Sequence, residues 1–249
     1  MTGHVHMTPL GGMAGDMFVA GMLDAFPEFS EPVISATGSV LPNRNAQLSQ
    51  REKSGISARG FDVPEQGETA PIHYPDMDRI LADADLPDAA RHAARAMLRS
   101  LADAESKVHG IPTDYVHFHE IADWDTLADL TAAASVLQQL EGWSWSLDPL
   151  PLGGGTVETA HGRLPIPAPA TAQLLEGMMV QDDGVSGERV TPTGAAICRY
   201  IHDQLTLRPR AMGRLQATGY GAGTRDLPGL PNILVVQVTG GAVQSGDRV

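Results

Sequence analysis

The stretch HVHMTPLGGMAGDMFVAGMLDAF, residues 4–26, changes its pattern twice within one short segment. Residues 4–7 suit a short extended segment, and a glycine-rich turn follows at 11–15. Residues 17–26 are then apolar at nearly every position, which is typical of a largely buried helix. The stretch therefore predicts a strand, a glycine loop and a helix, the repeating unit of α/β folds.

Other segments extend this pattern. Apolar side chains recur at the helical period over 87–109, and Gly110 and Pro112 end that helix. Closing strands are predicted over 214–221 and 232–239. Further helices are expected over 76–85, 124–140, 168–177 and 191–205, an extended segment over 144–152, and two strands within 33–63 with turns beside Gly55 and Gly60.

These elements predict an α/β fold with a mixed sheet, flanking helices and a helix-rich middle segment, with α+β as the alternative. A chain of 249 residues can bury a substantial core. We expect a single domain over residues 1–240, in which residues 76–140 are a candidate helical subdomain. The small, polar residues 241–249 are expected to form a disordered tail.

The composition excludes several classes of partner. Lys and Arg number 17 against 30 Asp and Glu, a net charge of -13 that repels phosphate backbones and anionic lipids. We therefore expect neither nucleic acid nor membrane as a partner. The single cysteine, Cys198, excludes an internal disulfide and a cysteine-rich zinc site. No apolar stretch reaches about 18 residues, so a cytoplasmic location is expected.

The stretch VHFHEIADWD, residues 116–125, contains two histidines and three carboxylates. In an extended segment, His117 and His119 project from one face and form a bidentate imidazole pair suited to Ni, Zn, Co or Fe. Asp125 and Asp129 share one face of the following helix, so a mixed cluster is within reach. The alternative is structural: Glu120 and Asp123 cap that helix. Spacing alone leaves both interpretations open.

Two predicted helix starts offer backbone N–H groups to an anion. One is Gly12-x-x-Gly15-Asp16, and the other is Thr191-Pro-Thr193. Neither is a Rossmann or P-loop motif, and ordinary helix capping is an adequate explanation of each. The alternating glycines of GYGAG, residues 219–223, leave one strand face bare for a ligand or another backbone, or else form a tight hairpin.

Six ordered segments together resemble the LarC-type nickel-insertion proteins, which mature the nickel-pincer cofactor of lactate racemase and related enzymes. The resemblance spans nearly the whole chain. The segments are GMAGDMF (12–18), VHFHE (116–120) with Asp125 and Asp129, PLG (151–153), HGRLPIPAPA (161–170), GERVTPTGAA (187–196) and GYGAGTRD (219–226) with Pro231 and Asn232.

The resemblance implies a CTP-dependent chelatase that inserts nickel into a pyridinium mononucleotide carrying two thiocarboxylates. It assigns His117 and His119 to nickel coordination or proton transfer, and Glu120, Asp16 and Asp125 to a hard cation such as Mg²⁺ or Mn²⁺ or to orienting the histidines. The loop glycines and three further residues would contact phosphate or thiocarboxylate. These cofactor-binding residues are Gly12, Gly15, Thr191, Thr193 and Arg225.

Two departures from the family limit what the resemblance implies. Thr8 stands where the family usually has an acidic residue, so that ligand is missing unless His4 or His6 replaces it. The family's further C-terminal domain, associated with nucleotide and nickel binding, would begin about where this chain ends, and a separate polypeptide is a candidate partner that supplies it. A non-catalytic nickel or cofactor carrier and a metal-dependent phosphoester hydrolase are the alternative functions.

Overall fold

The computed structural model describes residues 3–67, 73–118, 124–159, 162–210 and 213–240. Within these residues the chain forms both strands and helices, several of each in consecutive runs. The strands are β1 (Gly3–Thr8), β2 (Gln47–Lys53), β3 (Ile56–Asp62), β4 (Ser144–Leu147), β5 (Leu150–Pro151), β6 (Gly153–Gly154), β7 (Thr156–Thr159), β8 (Gly162–Pro165), β9 (Val180–Gln181), β10 (Gly187–Glu188), β11 (Thr206–Leu207), β12 (Arg214–Ala222) and β13 (Ile233–Gly240).

Helices pack against this framework and against each other. They are α1 (Gly15–Ala25), α2 (Ser30–Thr37), α3 (Tyr74–Asp83), α4 (Asp88–His109), α5 (Trp124–Gln139), α6 (Pro169–Leu174) and α7 (Pro192–Gln204). Helix α1 packs on β3, β12 and β13, while α4 contacts α3, α5, α6 and α7.

The main sheet has seven strands in the order β11-β4-β1-β13-β12-β3-β2. Strand β1 is parallel to β4 and antiparallel to β13. Strand β12 is antiparallel to β13 and parallel to β3. The sheet is therefore mixed and has flanking helices, which confirms the α/β prediction.

The first predicted unit of strand, loop and helix is confirmed, and its side chains explain where the core lies. Val5 and Met7 of β1 are fully buried in the hydrophobic core, as is Phe18 of α1. Apolar residues surround α1 because it lies between the sheet and α5.

The alternating glycines lie in β12, where they admit a helix backbone. A Cβ atom added at Gly219 would lie 2.1 Å from the carbonyl oxygen of Gly21, and one at Gly221 would lie 1.9 Å from that of Met17. The bare face of the strand is thus filled by α1, and the strand is paired along its length rather than folded into a tight hairpin.

One predicted segment is wrong in part. The two strands predicted within 33–63 are β2 and β3, but the beginning of that range belongs to α2, in which Val33 and Thr37 place buried side chains on a single helical face. Gly60 lies inside β3 rather than beside a turn. The turn of the β2–β3 hairpin is formed by Ser54 and Gly55, which both have positive φ.

The predicted helix-rich middle segment contains α3, α4 and α5. The predicted tail, residues 241–249, lies outside the described residues. In the described part of the chain, no helix combines the length and the hydrophobicity needed to cross a membrane.

Candidate functional site

Two loops that begin helices lie side by side. Residues 11–14 lead into α1, and residues 187–191 lead into α7. The Met13 N–H donates to the carbonyl oxygen of Arg189 at 2.8 Å, and the Thr191 N–H donates to the carbonyl oxygen of Met13 at 3.0 Å. Two helix N-termini therefore open at one place, where free N–H groups and the helix dipoles favour negative charge.

Two glycines allow this close approach. Gly12 has φ of +144°, and a Cβ there would lie 2.0 Å from the carbonyl oxygen of Arg189. A Cβ at Gly194 would lie 2.2 Å from the carbonyl oxygen of Met13. Side chains at these positions would push the loops apart, so Gly12 serves the geometry of the loops.

A buried arginine links the two loops through hydrogen bonds. The Arg189 side chain is fully buried, and it donates to the carbonyl oxygens of Leu10 at 2.8 Å and Gly11 at 2.6 Å. Its Nη1 contacts both carboxylate oxygens of Asp183, at 3.0 and 2.9 Å. The ion pair and these hydrogen bonds satisfy the buried charge. Sequence reasoning missed this positioning residue, because nothing in its motif separates it from a surface arginine.

A cavity of about 580 Å³ opens beside the two helix starts. Residues of α5 and of the β7–β8 hairpin complete its wall. The structure thus brings together most of the predicted site, from segments more than 200 residues apart. The predicted residues in its lining are Gly15, Asp16, Asp125, Asp129, Thr191, Thr193 and Arg225, whereas Gly12 is not part of it.

Asp125 and Asp129 lie one turn apart on α5 and both line the cavity, which confirms that they share a face. Asp125 is exposed and Asp129 is buried. A Cβ at Gly15 would lie 2.2 Å from Asp129 Oδ2, so the absence of a side chain at Gly15 makes room for this carboxylate at the start of α1.

Thr191 has an ordinary structural role as well. Its Oγ1 accepts a hydrogen bond from the Gly194 N–H at 3.1 Å, and Pro192 is the first residue of α7. This confirms the predicted cap. Thr193 is buried and lines the cavity beside it.

Carboxylates outnumber cations in the cavity wall. Arg51 pairs with Asp62, and Arg225 Nη2 lies 3.6 Å from Glu188 Oε2. Of these four residues, only Arg225 was predicted from the sequence to belong to the binding site. The acidic lining residues are Asp16, Asp62, Asp125, Asp129, Glu158 and Glu188, and the basic ones are Arg51 and Arg225. Six carboxylates against two guanidinium groups favour a bound cation or a cation–phosphate pair.

Burial perturbs the carboxyl group of Asp16 in the cavity wall. Burial raises its pKa to about 6, against the lowering effects of the Met17 N–H and of Arg51. The Met17 N–H donates to Asp16 Oδ1 at 2.8 Å. Asp16 therefore exchanges its proton near neutral pH, a property that suits proton transfer or pH-dependent cation binding.

His117 lies outside the cavity lining but has the predicted extended geometry. It is exposed, and its neighbours Val116 and Phe118 are buried, so the side chains alternate. An isolated antiparallel bridge joins His117 to His73, and the two imidazole rings lie 4.1 Å apart between centroids. His73 was missed, because nothing in the sequence around it indicated that it faces the HxH segment.

The remaining predicted ligands lie outside the described residues. These are His119 and Glu120, together with the predicted helix cap Asp123. Within the residues that are described, no group of three or more His, Cys, Asp or Glu side chains is arranged to hold a metal ion. The assignment of His117 and His119 to nickel, and of Asp16 and Asp125 to a hard cation, therefore stays a prediction.

His4 and His6 form a hydrogen-bonded row with residues of β4. His4 lies 2.8 Å from the Ser144 Oγ and 2.7 Å from the Ser146 Oγ, and His6 lies 2.8 Å from the Ser146 Oγ. At the end of the row, His6 Nε2 lies 3.2 Å from Asp148 Oδ2, which accepts a hydrogen bond from Thr8 at 2.6 Å.

We call this row, formed by His4, His6, Thr8, Ser144, Ser146 and Asp148, the polar ladder. Its two histidines are 3% exposed and are not part of the lining of the 580 Å³ cavity. They therefore do not replace the acidic residue of the family at that site. Thr8 instead helps to hold Asp148 against His6.

Known proteins similar to the chain point to one family. The family model described as nickel insertion protein matches residues 5–249. A Pelobacter propionicus protein named "Putative nickel insertion protein" is 40% identical over 232 residues, covering 92% of this chain and 59% of that protein. Equally named proteins are 42% identical over 228 residues in Geobacter sulfurreducens and 38% identical over 233 residues in Myxococcus xanthus.

The coverage of these relatives is unequal. The Geobacter alignment covers 90% of this chain but 58% of the relative, and the Myxococcus alignment covers 92% and 59%. The chain thus spans less than two thirds of the curated relatives that it matches. No solved structure matches it significantly. The family model and these identities show that the chain belongs to the nickel insertion protein family.

Proposed function

We propose that this chain binds a pyridinium mononucleotide with two thiocarboxylates and takes part in inserting nickel into it, as a module of the system that matures the nickel-pincer cofactor of lactate racemase-type enzymes. The observation that carries the proposal is the single cavity into which both helix starts, the α5 carboxylates and Arg225 project. Its volume of about 580 Å³ falls within the range of about 300–1,000 Å³ that is usual for small-ligand sites.

The two helix starts supply the phosphate contact in this proposal. The α1 and α7 N-termini and the Thr191 and Thr193 hydroxyl groups line one side of the cavity. Arg225 is largely exposed at the rim, where its guanidinium group can reach a phosphate or a thiocarboxylate.

The excess of carboxylates in the cavity indicates that a divalent cation binds together with the phosphate. A bare dianion would be repelled by six carboxylates, whereas a phosphate that carries Mg²⁺ or Mn²⁺ would be attracted. We assign Asp125 and Asp129 to this hard cation, which would be the one that accompanies CTP. Nickel itself enters as a substrate and binds sulfur and imidazole more readily than these carboxylates do.

Asp16 supports a proton-transfer step. A nickel–carbon bond formed at a ring carbon that carries hydrogen releases one proton, and a carboxylate whose pKa is about 6 accepts it near neutral pH. The Met17 N–H fixes one carboxylate oxygen, so the other oxygen can face the cavity.

Calorimetric titration with the pyridinium mononucleotide and Mg²⁺ tests the proposal. We expect Thr191→Val and Arg225→Gln to weaken binding about tenfold each, since each removes a hydrogen-bonded contact to an anion. Arg79→Gln is the matched control, because Arg79 forms an exposed ion pair with Asp76 on α3 and does not line the cavity. If all three variants bound the mononucleotide as tightly as the wild type, the cavity would not be its binding site.

Turnover of CTP separates catalysis from transport. Release of CMP or pyrophosphate by the chain, alone or with a separate polypeptide that carries the relatives' additional region, would support a chelatase. Binding of acceptor and nickel without any CTP turnover, with or without that partner, would instead support a non-catalytic carrier.

A further inference from the structure

We propose that a second cavity, at the carboxyl ends of β4 and β11, binds a small organic carboxylate with an apolar body. Its volume of about 360 Å³ lies within the range of about 300–1,000 Å³ that is usual for small-ligand sites. In the described part of the chain, this cavity shares no lining residue with the 580 Å³ cavity. The proposal therefore goes beyond the nickel role and does not depend on it.

The cavity lies where ligands commonly bind in α/β sheets. Strands β4 and β11 are parallel, with Leu207 opposite Trp145, so their carboxyl ends open on the same side. In open α/β sheets, the crevice outside the carboxyl ends of the strands is the usual place for a ligand. Here α7 and the loop of residues 177–179, between α6 and β9, complete the wall.

One part of the cavity wall is apolar and remains partly exposed to solvent. Trp145 and Ile201 belong to the hydrophobic core, whereas Met179 is 74% and Leu207 is 44% exposed. The apolar body of a ligand would remove these exposed side chains from water, which favours binding. Methionine is flexible and adapts to ligands of irregular shape. The apolar lining residues are Trp145, Leu147, Met178, Met179, Ile201 and Leu207.

Two arginines give the same cavity an excess of positive charge. Arg208 and Arg210 both line it, and Arg210 donates to the side-chain oxygen of Gln237. Neither guanidinium group forms an ion pair with a carboxylate of the described residues. The carboxylate in the wall, Asp148, accepts hydrogen bonds within the polar ladder. Two guanidinium groups against one carboxylate favour an anion, the opposite of the larger cavity.

The ligand class follows from the two parts of the wall together. A guanidinium group matches the planar geometry of a carboxylate and can form two parallel hydrogen bonds to it. An inorganic anion would leave the apolar wall exposed, and an organic cation would be repelled by Arg208 and Arg210. An organic carboxylate with an apolar body satisfies both parts, and the excess of one positive charge suits a single carboxylate.

A pair of probes that differ in charge tests this site. We expect phenylbutyrate to bind at least tenfold more tightly than phenylbutylamine, which carries the same apolar body on a cation. Nuclear magnetic resonance of isotopically labelled methionine methyl groups locates the probe. Phenylbutyrate should shift the signals of Met178 and Met179, whereas the signal of Met17, which follows Asp16 on α1, should not move.

Arg208→Gln should weaken the binding of phenylbutyrate about tenfold, because it removes a charge-assisted hydrogen bond. Leu207→Ser should weaken it severalfold by removing apolar contact. Both side chains are exposed, so neither change is expected to unfold the protein. Arg214→Gln is the matched control, because Arg214 is exposed on β12 and does not line the cavity.

Three outcomes would overturn the proposal. They are equal affinity for the two probes, unmoved signals of Met178 and Met179 at millimolar phenylbutyrate, and unchanged binding in Arg208→Gln.

The two cavities fail in different measurements. Thr191→Val should bind phenylbutyrate like the wild type, and Arg208→Gln should bind the pyridinium mononucleotide like the wild type. Weaker phenylbutyrate binding in Thr191→Val would place the carboxylate in the larger cavity and overturn the second site. Loss of mononucleotide binding in Thr191→Val, with phenylbutyrate binding unchanged, would leave both proposals standing.

Discussion

Histidines of two HxH motifs occupy different environments in this protein. His4 and His6 lie in β1, are 3% exposed and are hydrogen-bonded within the polar ladder. His117, the first histidine of the second motif, is exposed and faces His73 across an isolated bridge. The histidines of one HxH motif therefore have a structural use among hydroxyl and carboxyl groups, whereas the first histidine of the other motif reaches the surface.

The tautomers of the ladder follow from its end group. Burial lowers the pKa of both His4 and His6, so each is neutral near pH 7. A carboxylate only accepts, so His6 Nε2 carries the hydrogen toward Asp148, and the Ser146 hydroxyl donates to His6 Nδ1. The Ser146 oxygen then accepts from His4 Nε2. Every ring nitrogen is used within the protein, which leaves none for a metal.

The largest expected effect breaks the ladder at its centre. Ser146→Ala leaves a nitrogen of His4 and one of His6 without this partner, and we expect a loss of about 2–4 kcal/mol in the free energy of unfolding measured in urea. Nickel affinity should not change. Ser144→Ala, which removes a hydrogen bond from His4 alone, should cost about half as much. A Ser146→Ala protein as stable as wild type would show that the ladder is not structural.

The protonation of Asp16, a carboxyl group in the cavity wall, makes the stability of the protein depend on pH. Its pKa is raised to about 6 in the folded state from 3.8, so its contribution to stability is present below pH 3.8 and is lost as pH rises through 6. Asp16→Asn should therefore increase the free energy of unfolding at pH 7.5 by about 3 kcal/mol, since the pKa rises from 3.8 to about 6 and each unit of pKa corresponds to about 1.4 kcal/mol.

At pH 4 the same variant should be close to wild type in stability. Asp125→Asn, a change at an exposed carboxyl of the same cavity, is the matched control and should alter stability little at either pH. A stabilisation by Asp16→Asn that is equal at both pH values would contradict the assignment to burial.

A smaller effect concerns the pH dependence of the ladder. The pKa values of His4 and His6 are lowered, so the stability that the neutral rings provide is complete above the unfolded value of about 6.5 and is lost as pH falls toward the folded values. Urea unfolding between pH 7 and 5 should show this decline in wild type and equally in His73→Ala/His117→Ala. A flatter profile in that double variant would show that the exposed pair, and not the ladder, causes the decline.

The smallest expected change in the free energy of unfolding is that of replacing the exposed His73 and His117. His73→Ala/His117→Ala should change the free energy of unfolding by no more than about 0.5 kcal/mol, because both side chains are exposed. Ser146→Ala, in contrast, should lower the free energy of unfolding by several times this amount. If His73→Ala/His117→Ala lowered the free energy of unfolding by several kcal/mol, these two exposed histidines would be as important for stability as His4 and His6.

Much of the fold and part of the site were predictable from local patterns. The strand, loop and helix of residues 4–26 and the long helix α4 follow from periodicity and from glycine and proline positions. The short α2 was not predictable, because a run of a few apolar residues suits a strand or a helix equally well.

The predicted site residues Asp16, Asp125, Thr191 and Arg225 all line one cavity. Their cavity partners Asp62 and Glu158 were not predictable, because no spacing in sequence relates them to the motifs. Glu188 and Arg189 belong to the segment GERVTPTGAA, but nothing in that segment indicates that one lines the cavity and the other bridges the loops.

The sequence by itself determined the α/β class, the helix starts at Gly15 and Thr191, and the carboxylate pair on α5, because each depends on residues within a few positions of one another. Only the tertiary structure decided that His4 and His6 are enclosed and that His117 is exposed, because this depends on the segment that pairs with each. Strand β4 brings serines and a carboxylate to His4 and His6, whereas the start of α3 brings a second imidazole to His117.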